Sequence, residues 1–413
     1  MNFQTITLTN GLRVVCLPSS SKVVYCGYEV GVGSQDEQSG EEGLAHFCEH
    51  VTFKGTKRRT ALQVINELES VGGELNAFTT KSDTVFYAAV LVSHLSRAVD
   101  LLTDVVFHSV YPQEEIDKEV EVICDEIESY NDSPAELIYD DFENVLFRGT
   151  PLGHNILGTA SQVRSFRTED AKRFTSSHYL PASSVFFAYG NVDIGVLASL
   201  LSSAFGGVGI RPSSERKPHP ASANIVLPPL DPAVNVLDKA THQAHVMLGN
   251  RAYSLHHPLR PALVLLNNIV GGPSLNARLN LSLREQRGLV YSVESTLLSY
   301  DAIGGWSVYF GCDPADVEQC IDLVKEELCK LVSTPLSEEE LSAAKQQMCG
   351  QIGIACDNRE NFALDFGKSF LHFGYPKDPE MVCKEFDALT ADTLQQVAIE
   401  VLNPDKLSTL IYR

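Results

Sequence analysis

The sequence predicts an α+β protein of two similar domains, each a mainly antiparallel sheet flanked by helices. Three observations carry this. The 413 residues are too many for one ordinary core. Segments with the period of a strand alternate with segments with the period of a helix. The pattern is then interrupted by Gly-Gly-Val-Gly-Ile-Arg-Pro-Ser-Ser-Glu-Arg-Lys-Pro-His-Pro, after which strand and helix signals begin again in similar order. The chain accordingly divides into domains at 1–210 and 233–413, with a linker over 211–232.

Thr5 to Thr9 and Leu12 to Leu17 read as a hairpin around Asn10-Gly11, a strong turn signal. Val23 to Gly33 is rich in β-formers. Gly43 to Phe53 has no proline and the polarity of a helix. Ala61 to Val71 is an amphipathic helix that Gly72-Gly73 stops. Glu74 to Thr80 and Thr84 to Val92 read as paired strands, His94 to Val106 as a helix, and Gln113 to Ser129 as a long helix. A further helix starts after Thr168, with Thr-Glu-Asp as its capped first turn, Val185 to Tyr189 is a short strand, and Leu197 to Phe205 is a helix. In the second half the pattern of strands and helices begins again, over His245 to Leu248, Arg260 to Ile269, Gly304 to Phe310, Val317 to Leu331, Glu338 to Ile352, Thr390 to Leu402 and Leu407 to Ile411.

Hydrophobic residues make up 44% of the chain, enough for sizeable cores, but the longest apolar runs are far too short to span a membrane. No basic, apolar or Arg-rich leader stands at the N-terminus. The ten cysteines include no Cys-x-x-Cys pair and sit mostly in apolar segments, as expected of reduced thiols in the cytoplasm. A net charge of −21 argues against a nucleic-acid partner. It suits the attraction of cationic peptides, or solubility alone.

The segment His46-Phe-Cys-Glu49-His50 carries the chemistry. Histidines four apart lie on one face of a helix, and Glu49 falls on the same face. Two imidazoles and an adjacent carboxylate supply two ligands for a catalytic zinc and a base for the attacking water. The order H-x-x-E-H reverses the commoner H-E-x-x-H. Such a zinc takes a third protein ligand. Ile116, Val120, Ile123 and Ile127 form an apolar stripe on the long helix, with Glu119 and Glu126 together along one edge and Asp125 turned to solvent. Glu126 can therefore ligate the metal, with Glu119 two turns away behind the ligands.

At this point the sequence resembles the pitrilysin/insulinase family of inverted zincins, in particular its processing-peptidase-like members of half length. The resemblance runs over nearly the whole chain. It rests on Thr-Asn-Gly-Leu-Arg-Val-Val, Gly-Leu-Ala-His46-Phe-Cys-Glu49-His50-Val-Thr-Phe-Lys-Gly-Thr, Gly72-Gly73-Glu-Leu-Asn76-Ala77-Phe78-Thr79 and Val-Ile-Cys-Asp-Glu126-Ile. Later come Pro-Leu-Gly-His-Asn-Ile-Leu-Gly, Gly271-Gly272-Pro-Ser-Leu-Asn-Ala-Arg-Leu and Leu-Arg284-Glu-Gln-Arg-Gly-Leu-Val-Tyr291-Ser-Val. The family's spacing also puts the distal glutamate ligand at 126.

The resemblance implies a zinc endopeptidase with one zinc per chain, held by His46, His50 and Glu126, with Glu49 as general base and Glu119 orienting the ligands. Asn76, Ala77 and Phe78 would lie on the strand that pairs with an extended substrate. Arg284 and Tyr291 would reach the scissile bond of a substrate held by a partner subunit, Tyr291 steadying the oxyanion. Its substrates would be unfolded peptides or presequence-like segments. The chain would be one half of a clamshell peptidase, the first domain carrying the zinc and the second lacking the motif. It would work as a homodimer, or as a heterodimer with a related subunit. Two departures stand out: Cys48 replaces an aliphatic residue and reads as a packed thiol, and Pro273 enters a loop usually rich in glycine. A non-catalytic structural or peptide-binding subunit of a related heteromeric complex is the alternative, but such a chain would be expected to have lost a ligand or the base.

Overall fold

The computed structural model describes residues 1–211, 228, 230 and 232–413. Most of the 211–232 linker lies outside these described residues. The chain folds into two compact units, and neither is one continuous stretch. The first gathers Met1–Glu128, 155–211 and Ala355–Asp378; the second gathers Ser129–His154, the described part of 228–354 and Pro379–Arg413. Residues 129–154, read from the sequence as part of the first domain, thus group with the second unit, and 355–378 group with the first.

The first unit contains strands β1 (Gln4–Leu8), β2 (Arg13–Pro18), β3 (Val23–Val30), β4 (Glu74–Thr79), β5 (Thr84–Leu91), β6 (Ser184–Gly190) and β7 (Ile210–Arg211), in the spatial order β4-β5-β3-β6-β2-β1-β7. Only β2 and β6 run parallel. The β1–β2 hairpin turns at Gly11, whose φ of +95° suits a residue without Cβ. In the second unit, β8 (Val234–Leu237), β9 (Ala244–Ala252), β10 (Val290–Ser299), β11 (Gly304–Cys312) and β12 (Ser408–Tyr412) take the order β10-β11-β9-β12-β8, with only β8 and β12 parallel. Counted along the chain from β2 and from β8, both sheets place their strands third, fourth, second, fifth, first. The expected similarity of the two halves is thus present strand by strand.

Both sheets carry helices on both faces. In the first unit, Val14, Phe86, Ala88, Phe186 and Ala188 pack against α1 (Leu44–Thr52), α2 (Ala61–Glu69), α3 (Leu95–His108) and α4 (Gln113–Asn131). On the opposite face of this sheet, Val15, Val85, Val185 and Phe187 meet a single helix, described below. In the second unit, α5 (Pro134–Leu146) lays Leu137, Ile138, Phe142 and Leu146 against Met247, Tyr309, Leu410 and Tyr412. The short α6 (Ala160–Val163), α7 (Thr168–His178) and α8 (Ile194–Ala204) complete the first unit's upper layer. The other face of the second sheet is covered by α9 (Arg260–Gly271), α10 (Val317–Ser333), α11 (Glu338–Ala355) and, later in the chain, α14 (Ala391–Val401). The helix on the first sheet's second face is α12 (Arg359–Phe373), through Ala363, Phe366, Phe370 and Leu371. Gly367 lets it approach closely: a Cβ there would lie 2.6 Å from the Phe187 ring. The remaining helix, α13 (Pro379–Asp387), follows it.

The sequence reading contained neither α5 nor α12, and neither β8 nor β10. A glycine interrupts α12, which weakens a helical pattern, whereas α5 opens on Ser133-Pro134, a helix-start signal that the sequence reading passed over. A register shift between Val290 and Val293 breaks the alternation of β10. No helix among the described residues is long and apolar enough to cross a membrane.

Candidate metal centre

The helix α1 starts at Gly43, which has φ +96° and where a Cβ would press on the Leu157 carbonyl at 2.7 Å. The Glu37 carboxylate accepts hydrogen bonds from the amides of Gly43 (3.1 Å) and Ala45 (2.7 Å), an anion satisfying the first turn. Leu44, Phe47, Cys48 and Val51 anchor α1 in the core. The i, i+3, i+4 set His46, Glu49 and His50 is left on the remaining face, with His46 and Glu49 buried and His50 half-buried.

The partner helix is α4. Ile116, Val120, Ile123 and Ile127 are buried as the stripe predicts, and Asp125 is exposed. Glu126 reaches both histidines: its carboxylate oxygens lie 3.6 Å from His46 Nε2 and 3.3 Å from His50 Nε2. The imidazole rings stand 4.6 Å apart between centroids. One ligand atom from each of His46, His50 and Glu126 falls within 4.8 Å of the others, a spacing one cation can bridge. Two imidazole nitrogens and a carboxylate oxygen are a donor set that suits zinc and leaves a fourth position open.

Glu119 lies behind His50, its Oε1 3.0 Å from Nδ1, and its Oε2 accepts from Lys54 Nζ at 2.5 Å. This fixes the His50 ring with Nε2 turned to the metal side. The charges follow the geometry. Burial and the neighbouring His50 push the His46 imidazole down to about 4. Burial alone would lower His50 as well, but the Glu119 and Glu126 carboxylates outweigh it and raise it to about 9. Burial likewise works against ionisation of Glu119, yet His50 and Lys54 hold its carboxyl below the usual range. Burial raises Glu49, and a hydrogen bond from Thr79 Oγ1 to its Oε2, 2.7 Å long, opposes that rise.

The strand β4 is the free edge of the first sheet. Leu75 and Ala77 pack on the core that contains α1, and Thr79 reaches Glu49 from the same side. Asn76 and Phe78 are exposed on the other face, where the Phe78 ring meets Tyr87. The structure therefore brings His46, Glu49, His50, Glu119, Glu126 and the Asn76–Phe78 strand together in the first unit. Arg284 and Tyr291 belong to the second unit. Arg284 leaves a π-helical turn, its guanidinium carbon 6.0 Å from the centre of the Tyr291 ring, and Tyr291 is 83% exposed on β10. The sequence reading missed Thr79 and Lys54. Thr79 was recoverable as two residues beyond Ala77 on one strand face, and Lys54 as one turn beyond His50. Cys48 is buried, and none of the ten cysteines stands in a disulfide.

Two similar α+β units, one bearing an H-x-x-E-H helix completed by a distal glutamate, define an inverted-motif metallopeptidase-like fold. Residues 13–160 match the family model described as insulinase (peptidase family M16), and 165–348 match that of the peptidase M16 inactive domain. The chain belongs to peptidase family M16. An uncharacterized zinc protease of Streptomyces coelicolor is 32% identical over 96% of this chain and 86% of its own length. One from Mycobacterium leprae is 34% identical over 96% and 88%, and YmxG of Bacillus subtilis, named likewise, is 30% identical over 98% and 97%. Among solved structures, a protease from Helicobacter pylori superposes with a TM-score of 0.89 at 22% identity, covering 100% of this chain and 99% of that one. A peptidase M16 inactive domain from Pseudomonas fluorescens gives 0.88 at 18%, covering 100% and 98%.

Proposed function

We propose that this chain is a zinc endopeptidase that hydrolyses unfolded peptides or presequence-like segments. The observation that carries this is the convergence of His46, His50 and Glu126 beside Glu49, all within one unit. Zinc bound there would act as a Lewis acid, activating water and polarising the scissile carbonyl. The chain's own residues do the rest. His46, His50 and Glu126 would hold the ion, one per chain. Glu119 orients His50. Glu49 takes the proton of the attacking water and passes it to the leaving amine. The free edge of β4, at Asn76, Ala77 and Phe78, binds an extended backbone by strand addition. Arg284 and Tyr291 serve the site of a partner subunit, Tyr291 donating to the oxyanion. A homodimer is self-sufficient, since one chain carries both sets of residues. The surplus of acid favours cationic peptides, and ten cysteines outside any disulfide suit the cytoplasm.

The test is cleavage of quenched, unstructured peptides by zinc-loaded protein beside Glu49→Gln. The variant should keep its zinc and lose on the order of 10²–10⁴ in kcat. A wild-type protein that holds zinc and cuts nothing would turn the assignment to a peptide-binding subunit of a heteromeric complex.

A further inference from the structure

We infer that Thr79 is a positioning residue for Glu49: its hydroxyl holds one carboxylate oxygen of the base so that the other is presented to the reacting water. This rests on the reading of Glu49 as the base.

Three observations support it. Among the described residues, the bond from Thr79 Oγ1 is the one hydrogen bond that Glu49 accepts, at 2.7 Å, and Glu49 is only 8% exposed. A buried carboxylate with a single donor takes its orientation from that donor. The donor is itself fixed. Thr79 ends β4, and the next residue is tied down on every side: Thr80 N donates to Asp83 O at 2.8 Å, Thr80 Oγ1 to Asp83 Oδ1 at 2.9 Å, and Ser34 N to Thr80 O at 3.2 Å. Asp83 is wholly buried and paired with Lys368 (3.1 Å) and His372 (3.2 Å) of α12. A β-branched side chain on so rigid a backbone has little rotamer freedom. Finally, Thr79 directly follows Asn76–Phe78 on the free edge strand. A peptide adding to that edge would be registered by the same strand that aims the base, so substrate and base are aligned by one rigid element.

The experiment compares wild type, the isosteric Thr79→Val and the hydroxyl-retaining Thr79→Ser, all zinc-loaded. Zinc stoichiometry reports an intact metal site. A simple hydroxamate, which chelates zinc while its hydroxyl hydrogen-bonds a neighbouring carboxylate, reports the orientation of Glu49 by calorimetry without turnover. Steady-state cleavage supplies kcat and KM. Thr79→Val should keep wild-type zinc content and KM, bind hydroxamate about 10-fold more weakly and lose about 10–100-fold in kcat, and Thr79→Ser should restore both. Unchanged hydroxamate affinity and kcat in Thr79→Val overturns the inference, as does a Thr79→Ser protein as poor as Thr79→Val. If the wild type binds hydroxamate but cuts no peptide, the peptidase reading fails by itself, and the hydroxamate series still decides the role of Thr79.

Discussion

Lys54 shows how far beyond the ligands a metal site extends. Its ammonium occupies one oxygen of Glu119, which leaves the other for His50 Nδ1. Without Lys54 the carboxylate can turn away, and the imidazole loses its orientation. Lys54→Met should weaken zinc binding about 10-fold, with a smaller loss for Lys54→Arg, as measured by competition with a chelator. Glu29 raises the opposite problem. It is fully buried on β3, neither carboxylate oxygen has a hydrogen-bond partner among the described residues, and burial followed by the nearby Asp83 lifts its pKa well above the usual range. The unfolded chain ionises Glu29 near pH 4.3 while the folded chain keeps the proton, so this residue costs stability as the pH rises past that value. Glu29→Met should be more stable than wild type at pH 7 by about 1–3 kcal/mol, and the gain should shrink as the pH falls toward 4. Urea unfolding at a series of pH values checks both sign and window. At this scale the sequence disclosed what local spacing encodes: His46, Glu49 and His50 share one helix, and Glu119 and Glu126 another. The links from Lys54 and Thr79, and the isolation of Glu29, arise from contacts between elements, and no local pattern announces them.

Among the elements, α5 and α12 escaped the sequence reading for a physical reason. Both cover sheet faces already lined by apolar strand residues. α5 lays Leu137, Ile138, Phe142 and Leu146 on its sheet after a proline-opened first turn that the sequence reading passed over, and α12 carries Gly367, which weakens its helical pattern, at its point of closest approach. The strands they cover were easier to recognise, because Thr84 to Val92 is a nearly unbroken apolar run. The packing nonetheless makes α12 structurally indispensable. Phe366 is buried against the first sheet, and Tyr87 donates to Glu360 at 2.7 Å from the strand beside β4. Phe366→Ala should lower stability by about 3–5 kcal/mol in denaturant unfolding.

At the scale of the molecule, two sheets that share the order of five strands serve different ends: one bears the helix of His46, Glu49 and His50, the other Arg284 and Tyr291. If these two sets act together across a dimer, defects in them must complement. Glu49→Gln and Tyr291→Phe homodimers should each be impaired, whereas mixed and re-equilibrated subunits should recover up to about a quarter of wild-type activity, since half the dimers are mixed and one of their two sites is intact. No recovery would place the pair with its own chain's metal or remove it from the chemistry.

The exchange of α5 and α12 between the two units bears on how the protein is made. A ribosome releases β1 to β6 early, yet the helix that covers their second face is encoded only at Arg359–Phe373, about 150 residues after the first unit's earlier segments end. At 5–20 residues per second that face, with Val85, Val185 and Phe187, stays bare for roughly 8–30 s. The nascent chain therefore presents a ready-made apolar surface to chaperones throughout the synthesis of its second half, and a message truncated before residue 359 would yield a product that can never cover it.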